Sequence, residues 1–270
     1  MPPLGRQKFC PFPAYKIAPR SYFQVTLGVS MLPLKFKESW PFNGFAYPSL
    51  ILVFQATAAL AGFSPRGPAN FEQAKTYLNK ALAKTQEPPK TWYCSCPLQG
   101  HKVFPCDTGI PSQKPMTLEW DHVVPAALFP KPSSCLHIDG SARVCARKKS
   151  QLFRYGEADL VNLVPAESQV NQLKSSKPPG TGETTFKARC GFEVGVSKFN
   201  PPPEKKGDVA RIWFHMNQKH FEGKLINLQL GPLLYKWNLE DPISIEETQR
   251  ARDLARLGSP HLFVPWKEVK

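Results

Sequence analysis

The chain has 270 residues, 41% of them hydrophobic, and 29 are prolines. That composition leaves room for a sizeable core, while the prolines speak against long uninterrupted helices. The formal net charge of +14 points to a polyanionic partner such as nucleic acid, acidic glycan or anionic membrane, and away from an acidic chain that such a partner would repel.

In chain order, residues 1–44 mix proline, aromatic and basic residues without a period. The segment from Phe45 to Ala61 is apolar except for Tyr47, Ser49, Gln55 and Thr57, and ends Ala59-Leu60-Ala61. It reads as the hydrophobic region and small-residue cleavage site of a secretory signal, with Lys35 and Lys37 as the basic flank if translation starts at Met31. The alternative is an uncleaved anchor, marginal as a span at about 17 residues. Residues 1–61 hold six Lys/Arg and one Asp/Glu, so the remainder carries 29 − 20 = +9. The basic balance therefore belongs to residues 62–270, which read as one domain with no internal repeat.

Phe71 to Lys84 is expected to be an amphipathic helix, because Phe71, Ala74, Tyr77, Leu78, Ala81 and Leu82 recur at three and four. Pro88-Pro89 ends it. Short strands are expected between Thr91 and Thr117, and Leu118–Ala126 reads as strand-like at its core. Pro130 to Ser150 reads as a long loop, Leu160–Pro165 as a short strand or turn, and Ala166–Leu173 as a helix with Pro165 in its first turn. Lys174–Thr185 reads as a loop and Val209–Asn217 as a helix or strand. Asp241–Leu257 is expected to be a helix with Ser244 and Glu247 as a capping box.

Of the seven cysteines, Cys10 precedes the cleavage point, leaving Cys94, Cys96, Cys106, Cys135, Cys145 and Cys190. An even set among loops suggests disulfides in an oxidising compartment. Zinc is the alternative, but Cys94 and Cys96 form CxC rather than CxxC and no second Cys/His pair follows at finger spacing. Cys135 with Cys145 is the favoured pair, since both flank one basic loop.

Six histidines are present. His122 differs from the rest: it follows Asp121 within the apolar run Glu119-Trp120-Asp121-His122-Val123-Val124-Pro125-Ala126, where an unpartnered imidazole would be costly. It is either a core histidine bonded to Asp121 or a backbone carbonyl, or a general base. A second cluster runs from Glu157 through Asn162 to Asn171. Asn171 falls on the expected helix, where its carboxamide oxygen can face a metal. Read plainly, Asn162 and Asn171 are a turn and a surface asparagine.

The runs EWDHVVPA (119–126), EADLVNLVPAESQVN (157–171) and KGDVARIWFHM (206–216), in this order, resemble the bacterial endonuclease I family of periplasmic and extracellular nucleases. ALA at 59–61, NFEQAK at 70–75 and YCSC at 93–96 extend the resemblance over residues 59–266. It implies an α+β fold with a ββα-metal (His-Me finger) core, stabilised by disulfides. It implies a secreted or periplasmic, sequence-nonspecific endonuclease for DNA and RNA that leaves a 5′-phosphate. In it, His122 matches the general base, and Asp121, usually Glu in the family, matches an acidic metal ligand. Asn171 matches the helix-borne metal ligand, Glu157 an acid near the metal, and Asn162 a loop-fixing group. Arg143 is the candidate to face the scissile phosphate, with Arg147 and Lys148 as alternatives. Gln169 stands where the family often has Glu, and further carboxy-terminal cysteines of the family have no counterpart.

The chemistry is consistent with that resemblance. A neutral imidazole can take a water proton near pH 7. A carboxylate and a carboxamide suit a hard cation, Mg²⁺ first, with Mn²⁺ or Ca²⁺ as other occupants. An arginine fork holds phosphate oxygens, and further Lys and Arg add sequence-independent affinity. A monomer without stable membrane association is expected. The alternatives are a family member that only binds nucleic acid, and a disulfide-rich secreted interaction protein.

Overall fold

The computed structural model describes residues 67–85, 88–110, 115–136 and 142–265. The signal reading and the domain start at residue 62 lie outside them. Asn70 opens helix α1 (Phe71–Leu82): its side chain accepts from the Gln73 backbone N–H, and the Gln73 side chain accepts from the Ala69 N–H. The first bond satisfies one orphan donor of the opening turn, and the second ties Ala69, the residue before the cap, back to that turn. The helix buries Ala74 and Leu78, the inner stripe expected from the spacing.

A short hairpin follows, β1 (Leu98–Gln99) and β2 (Lys102–Val103), turning at Gly100 with φ +58°. Strand β3 (Leu118–His122) pairs antiparallel with β4 (Leu163–Glu167), with Trp120 opposite Pro165 and His122 opposite Leu163. Helix α5 (Ser168–Lys174) leaves β4 directly. Between the paired strands the chain makes an excursion through a 3₁₀ turn at Ala126–Leu128 and three helices: α2 (Ser133–Leu136), α3 (Ala142–Lys149) and α4 (Gln151–Glu157). After α5 come a three-stranded antiparallel sheet, β5 (Phe186–Lys187), β6 (Glu193–Val194) and β7 (Phe199–Asn200), and helices α6 (Lys206–His220), α7 (Leu230–Glu240) and α8 (Ile245–Arg256). The fold is mixed helix and sheet, stapled by disulfides. The strand pair and α6 sit at the core, where Trp213, Phe153, Leu160, Leu163 and Val170 are fully or almost fully buried.

The cysteines pair as Cys94–Cys190, Cys96–Cys106 and Cys135–Cys145, which excludes the zinc alternative and includes the favoured pair. Three expectations need correction. Pro130–Ser150 is not one long loop, because α2 and α3 lie in it. Ala142-Arg143-Val144-Cys145-Ala146-Arg147-Lys148-Lys149 is a run of mostly good helix formers, anchored by buried Ala146 and by the bridge from Cys145 back to α2. Helix α5 begins at Ser168, not Ala166. Pro165 and Ala166 belong to β4, where ladder pairing with β3 overrides the preference of proline for a first helical turn. Pro165 has no N–H to give, and its carbonyl accepts from Trp92 N at 2.7 Å. Lys174, read as the start of a loop, is the last residue of α5 and is fully buried.

Val209–Asn217 resolves as part of helix α6. At the start of α8 the Ser244 side chain accepts from Glu247 N–H, but the Glu247 carboxylate does not reach back. It takes the Arg211 guanidinium from α6 at 2.7 and 2.6 Å. No helix among the described residues is long and apolar enough to cross a membrane.

Candidate active site

Glu119 and Asp121 are two apart on β3 and so project to one side of the strand. Helix α5 runs along that side. Asn171 and Lys174, three apart and on one helical face, meet the two carboxylates in turn. Asn171 Nδ2 donates to Glu119 Oε2 at 2.6 Å, and Lys174 Nζ donates to Asp121 Oδ1 at 3.0 Å and to the His122 carbonyl at 2.8 Å. Tyr93 Oη donates to the other Asp121 oxygen at 2.7 Å. Lys174 and Asp121 are both buried. Burial pulls the Lys174 ammonium below its ordinary pKa, with the Asp121 charge opposing. Burial, then the Asp121 charge, pushes the Tyr93 hydroxyl well above its ordinary pKa.

His122 faces a different set of partners. Its Nε2 lies 2.8 Å from the Glu157 carbonyl. A carbonyl can only accept, so Nε2 carries the proton and Nδ1 the lone pair. Phe71 of α1 packs on the ring at a centroid distance of 4.9 Å and Phe129 meets it edge-on at 6.1 Å. Burial lowers the imidazole to about 4; the Glu157 carbonyl bond opposes this and the Arg143 charge adds to it. The ring is therefore neutral at pH 7.

The Glu157 carboxylate points elsewhere. Arg143 Nε reaches Oε1 at 2.6 Å; Arg147 Nε and Nη2 reach the two oxygens at 2.6 and 2.7 Å. The i,i+4 spacing of the two arginines on α3 puts both guanidinia on one carboxylate. Burial works against the Glu157 charge, but the Arg147 and Arg143 bonds outweigh it and hold the carboxyl below the usual glutamate range. The guanidinium carbons lie 5.8 and 5.7 Å from the centre of the Phe71 ring. Asn162 is buried and clamps the chain just beyond β3: its Oδ1 accepts from Val124 N at 2.7 Å and its Nδ2 donates to the Val124 carbonyl at 3.0 Å.

A cavity of about 1040 Å³ opens over this assembly, walled by Phe71, Glu119, Asp121, His122, Arg143 and Asn171 among others. The structure thus brings His122, Asp121, Asn171 and Arg143 to one cavity. It sets Asn162 behind the wall and turns the Glu157 carboxylate toward the arginines. Sequence reasoning did not single out Glu119, Phe71, Tyr93 or Lys174. Alternation along β3 is the signal that was available for Glu119; the other three are brought in by tertiary packing.

The chain matches the endonuclease I family over residues 70–261. The match spans the strand pair, α5 and every wall of the cavity named above. The chain belongs to the endonuclease I family. Family membership makes it a nuclease. Relatives include an extracellular deoxyribonuclease of Aeromonas hydrophila, 29% identical over 208 residues, which is 72% of this chain and 87% of that protein. Endonuclease-1 of Buchnera aphidicola is 23% identical over 81% of this chain and 89% of its own length. A periplasmic deoxyribonuclease of A. hydrophila is 27% identical over 73% of this chain and 88% of its own. Family members outside the cytoplasm, together with three disulfides, agree with a secreted or periplasmic location.

Proposed function

We propose that the chain is a sequence-nonspecific endonuclease that hydrolyses phosphodiester bonds of DNA and RNA. In this reading it uses one divalent cation, has His122 as general base and leaves a 5′-phosphate. The β3–β4–α5 unit serves as the ββα-metal core. One observation carries the reading: the Glu157 carbonyl occupies His122 Nε2 and leaves an unprotonated Nδ1 on a neutral ring at the edge of the cavity. That is the form of imidazole able to take a proton from water.

The remaining groups fit the same reaction. Phe71 and the Glu157 carbonyl fix the ring plane. Arg147 spends two donors on Glu157 whereas Arg143 spends one and walls the cavity. This favours Arg143 over Arg147 and Lys148 as the group that holds a phosphate oxygen. Asp121 and Asn171 would hold the cation; a carboxylate and a carboxamide beside the base are oxygen donors of the kind a hard cation takes. A bound Mg²⁺, with Mn²⁺ or Ca²⁺ as substitutes, would neutralise phosphate charge and polarise a water. These groups address water, phosphate and charge, none of them a base, which suits cleavage without sequence preference and either sugar.

The test is His122→Ala. Cleavage of plasmid DNA in Mg²⁺ is expected to fall by about 10²–10⁴, with melting temperature and DNA affinity close to wild type. EDTA is expected to stop wild-type cleavage. A folded His122→Ala protein that cuts at the wild-type rate removes the assignment.

A further inference from the structure

Lys131 lies between the 3₁₀ turn at Ala126–Leu128 and α2, half-buried in the cavity wall that also holds Arg143. Its Nζ donates to the Ala127 carbonyl at 2.6 Å and to the Phe129 carbonyl at 3.2 Å, and stands 5.9 Å from the centre of the Phe153 ring. These contacts fix the position of the ammonium. The carbonyls take two of its three protons and leave one for a ligand. Among the described residues no carboxylate pairs with it. Glu157, the acid beside Arg143, is already shared by Arg143 and Arg147. On this side of the cavity three cations therefore stand against one carboxylate, a surplus of two positive charges, with His122 neutral. Like charges held in a partly desolvated wall repel: burial, then the Arg143 charge, pulls the Lys131 ammonium below its ordinary pKa. An anion entering the cavity offsets that repulsion. Each phosphodiester carries one negative charge, so two successive phosphates of one strand match the surplus, and a lysine serves a phosphate as a point charge.

We propose that Lys131 is a substrate-binding residue that holds the backbone phosphate next to the scissile one, as the second anionic contact of the cavity after Arg143. The inference rests on the endonuclease reading above and adds which substrate group the wall beyond His122 receives.

The test separates binding from chemistry. Affinity of the oxidised protein for a short DNA duplex is measured by fluorescence anisotropy across a salt series, in EDTA so that nothing is cut. Lys131→Met keeps the apolar stem over Phe153 and removes the charge. It is expected to weaken binding about tenfold and to flatten the log–log salt slope by about one unit. Lys131→Arg keeps the charge and is expected to retain the wild-type slope. Lys236→Met is the control for net charge, since Lys236 sits on α7 beside Glu240 and does not wall the cavity; its affinity and slope are expected to match wild type. Cleavage in Mg²⁺ gives the second readout. Lys131→Met is expected to raise KM and leave kcat within about twofold, because a flanking phosphate is held alike in ground and transition states. Wild-type affinity and slope in Lys131→Met overturn the assignment of Lys131 alone. So does an equal loss in Lys236→Met, which means general charge, and so does a fall in kcat at unchanged KM, which means an effect on the reacting phosphate. Wild-type protein whose DNA affinity ignores salt overturns the endonuclease reading of the cavity, and the assignment with it. Melting temperatures without DNA are expected within about 2 °C of wild type, since no ion pair among the described residues is lost. If Lys131→Met melts lower than that, Lys131→Gln carries the same comparison.

Discussion

His122 owes its state to a single backbone carbonyl and to burial. If His122 is the general base proposed above, only the neutral ring can accept the proton, so its titration is expected to limit cleavage only as pH falls toward about 4, and between pH 5.5 and 7 the rate at saturating Mg²⁺ is expected to lose nothing to it. Stability behaves otherwise. Burial lowers His122 to about 4 and His261 to about 2, while both return to about 6.5 on unfolding. The unfolded chain binds more protons between those values, so stability rises with pH across that window and is lost as pH drops below about 6.5. A melting temperature that falls steadily from pH 7 to pH 5, less steeply in His261→Gln, is the expected result of a calorimetric series. The Lys174–Asp121 pair gives a second residue-scale prediction. Lys174→Met leaves Asp121 buried with Tyr93 as its one remaining side-chain donor among the described residues, and is expected to cost about 3–5 kcal/mol. Adding Asp121→Asn should recover part of that loss, and a double-mutant cycle by denaturant unfolding measures the coupling.

At the scale of elements, α6 is pinned to its neighbours through Arg211. The guanidinium reaches Glu247 on α8, Asp208 on its own helix, Asn238 of α7 and the Asp241 carbonyl. Arg211→Ala would leave the buried Glu247 carboxylate without its cation and Asp208 with Lys205 alone, and is expected to lower stability by about 3–5 kcal/mol while leaving Mn²⁺ affinity of the surviving folded protein unchanged. The same crossing explains a glycine. A Cβ on Gly207 would sit 1.9 Å from the Asp241 carbonyl oxygen and 2.7 Å from the Arg211 guanidinium, so α6 and the end of α7 can approach this closely only with glycine there. Helix α3 shows the complementary case: its two arginines stand four apart on one carboxylate, and that same carboxylate's residue supplies the carbonyl that orients His122.

For the molecule as a whole, cross-links and charge dominate. Cys94–Cys190 joins segments 96 residues apart in sequence, tying the Tyr93 neighbourhood to the turn between β5 and β6. Loss of native disulfides from a secreted domain costs about 2–5 kcal/mol, so unfolding in urea is expected at clearly lower concentration after reduction, with cleavage declining in parallel. Full activity with all six thiols titratable would contradict this. The charge of +9 on residues 62–270 predicts attachment to DNA by counterion release. The log–log dependence of affinity on salt is expected to have a slope of several units, measured by fluorescence anisotropy on unrelated duplexes, which should bind alike.

The sequence by itself determined the family, the order of the motifs, α1 and α8, and it singled out His122, because each depends on residue type at short spacing. It also suggested the Cys135–Cys145 pair, whose cysteines are close in the chain. Its errors came where long-range contacts outvote local preference. Pro165 reads as a helix start but pairs with Trp120 from 45 residues away, and α3 hides in a stretch whose basic and cysteine content reads as loop. At the site, Asp121 and Asn171 could be named from the motifs, yet which carboxylate lies against Asn171 depends on how α5 crosses β3. Only the tertiary structure set Lys174 and Tyr93 on Asp121, turned the Glu157 side chain to the arginines and put Glu119 in the cavity wall, because hydrogen bonds between residues 10 to 53 apart in sequence leave no periodic trace in the chain.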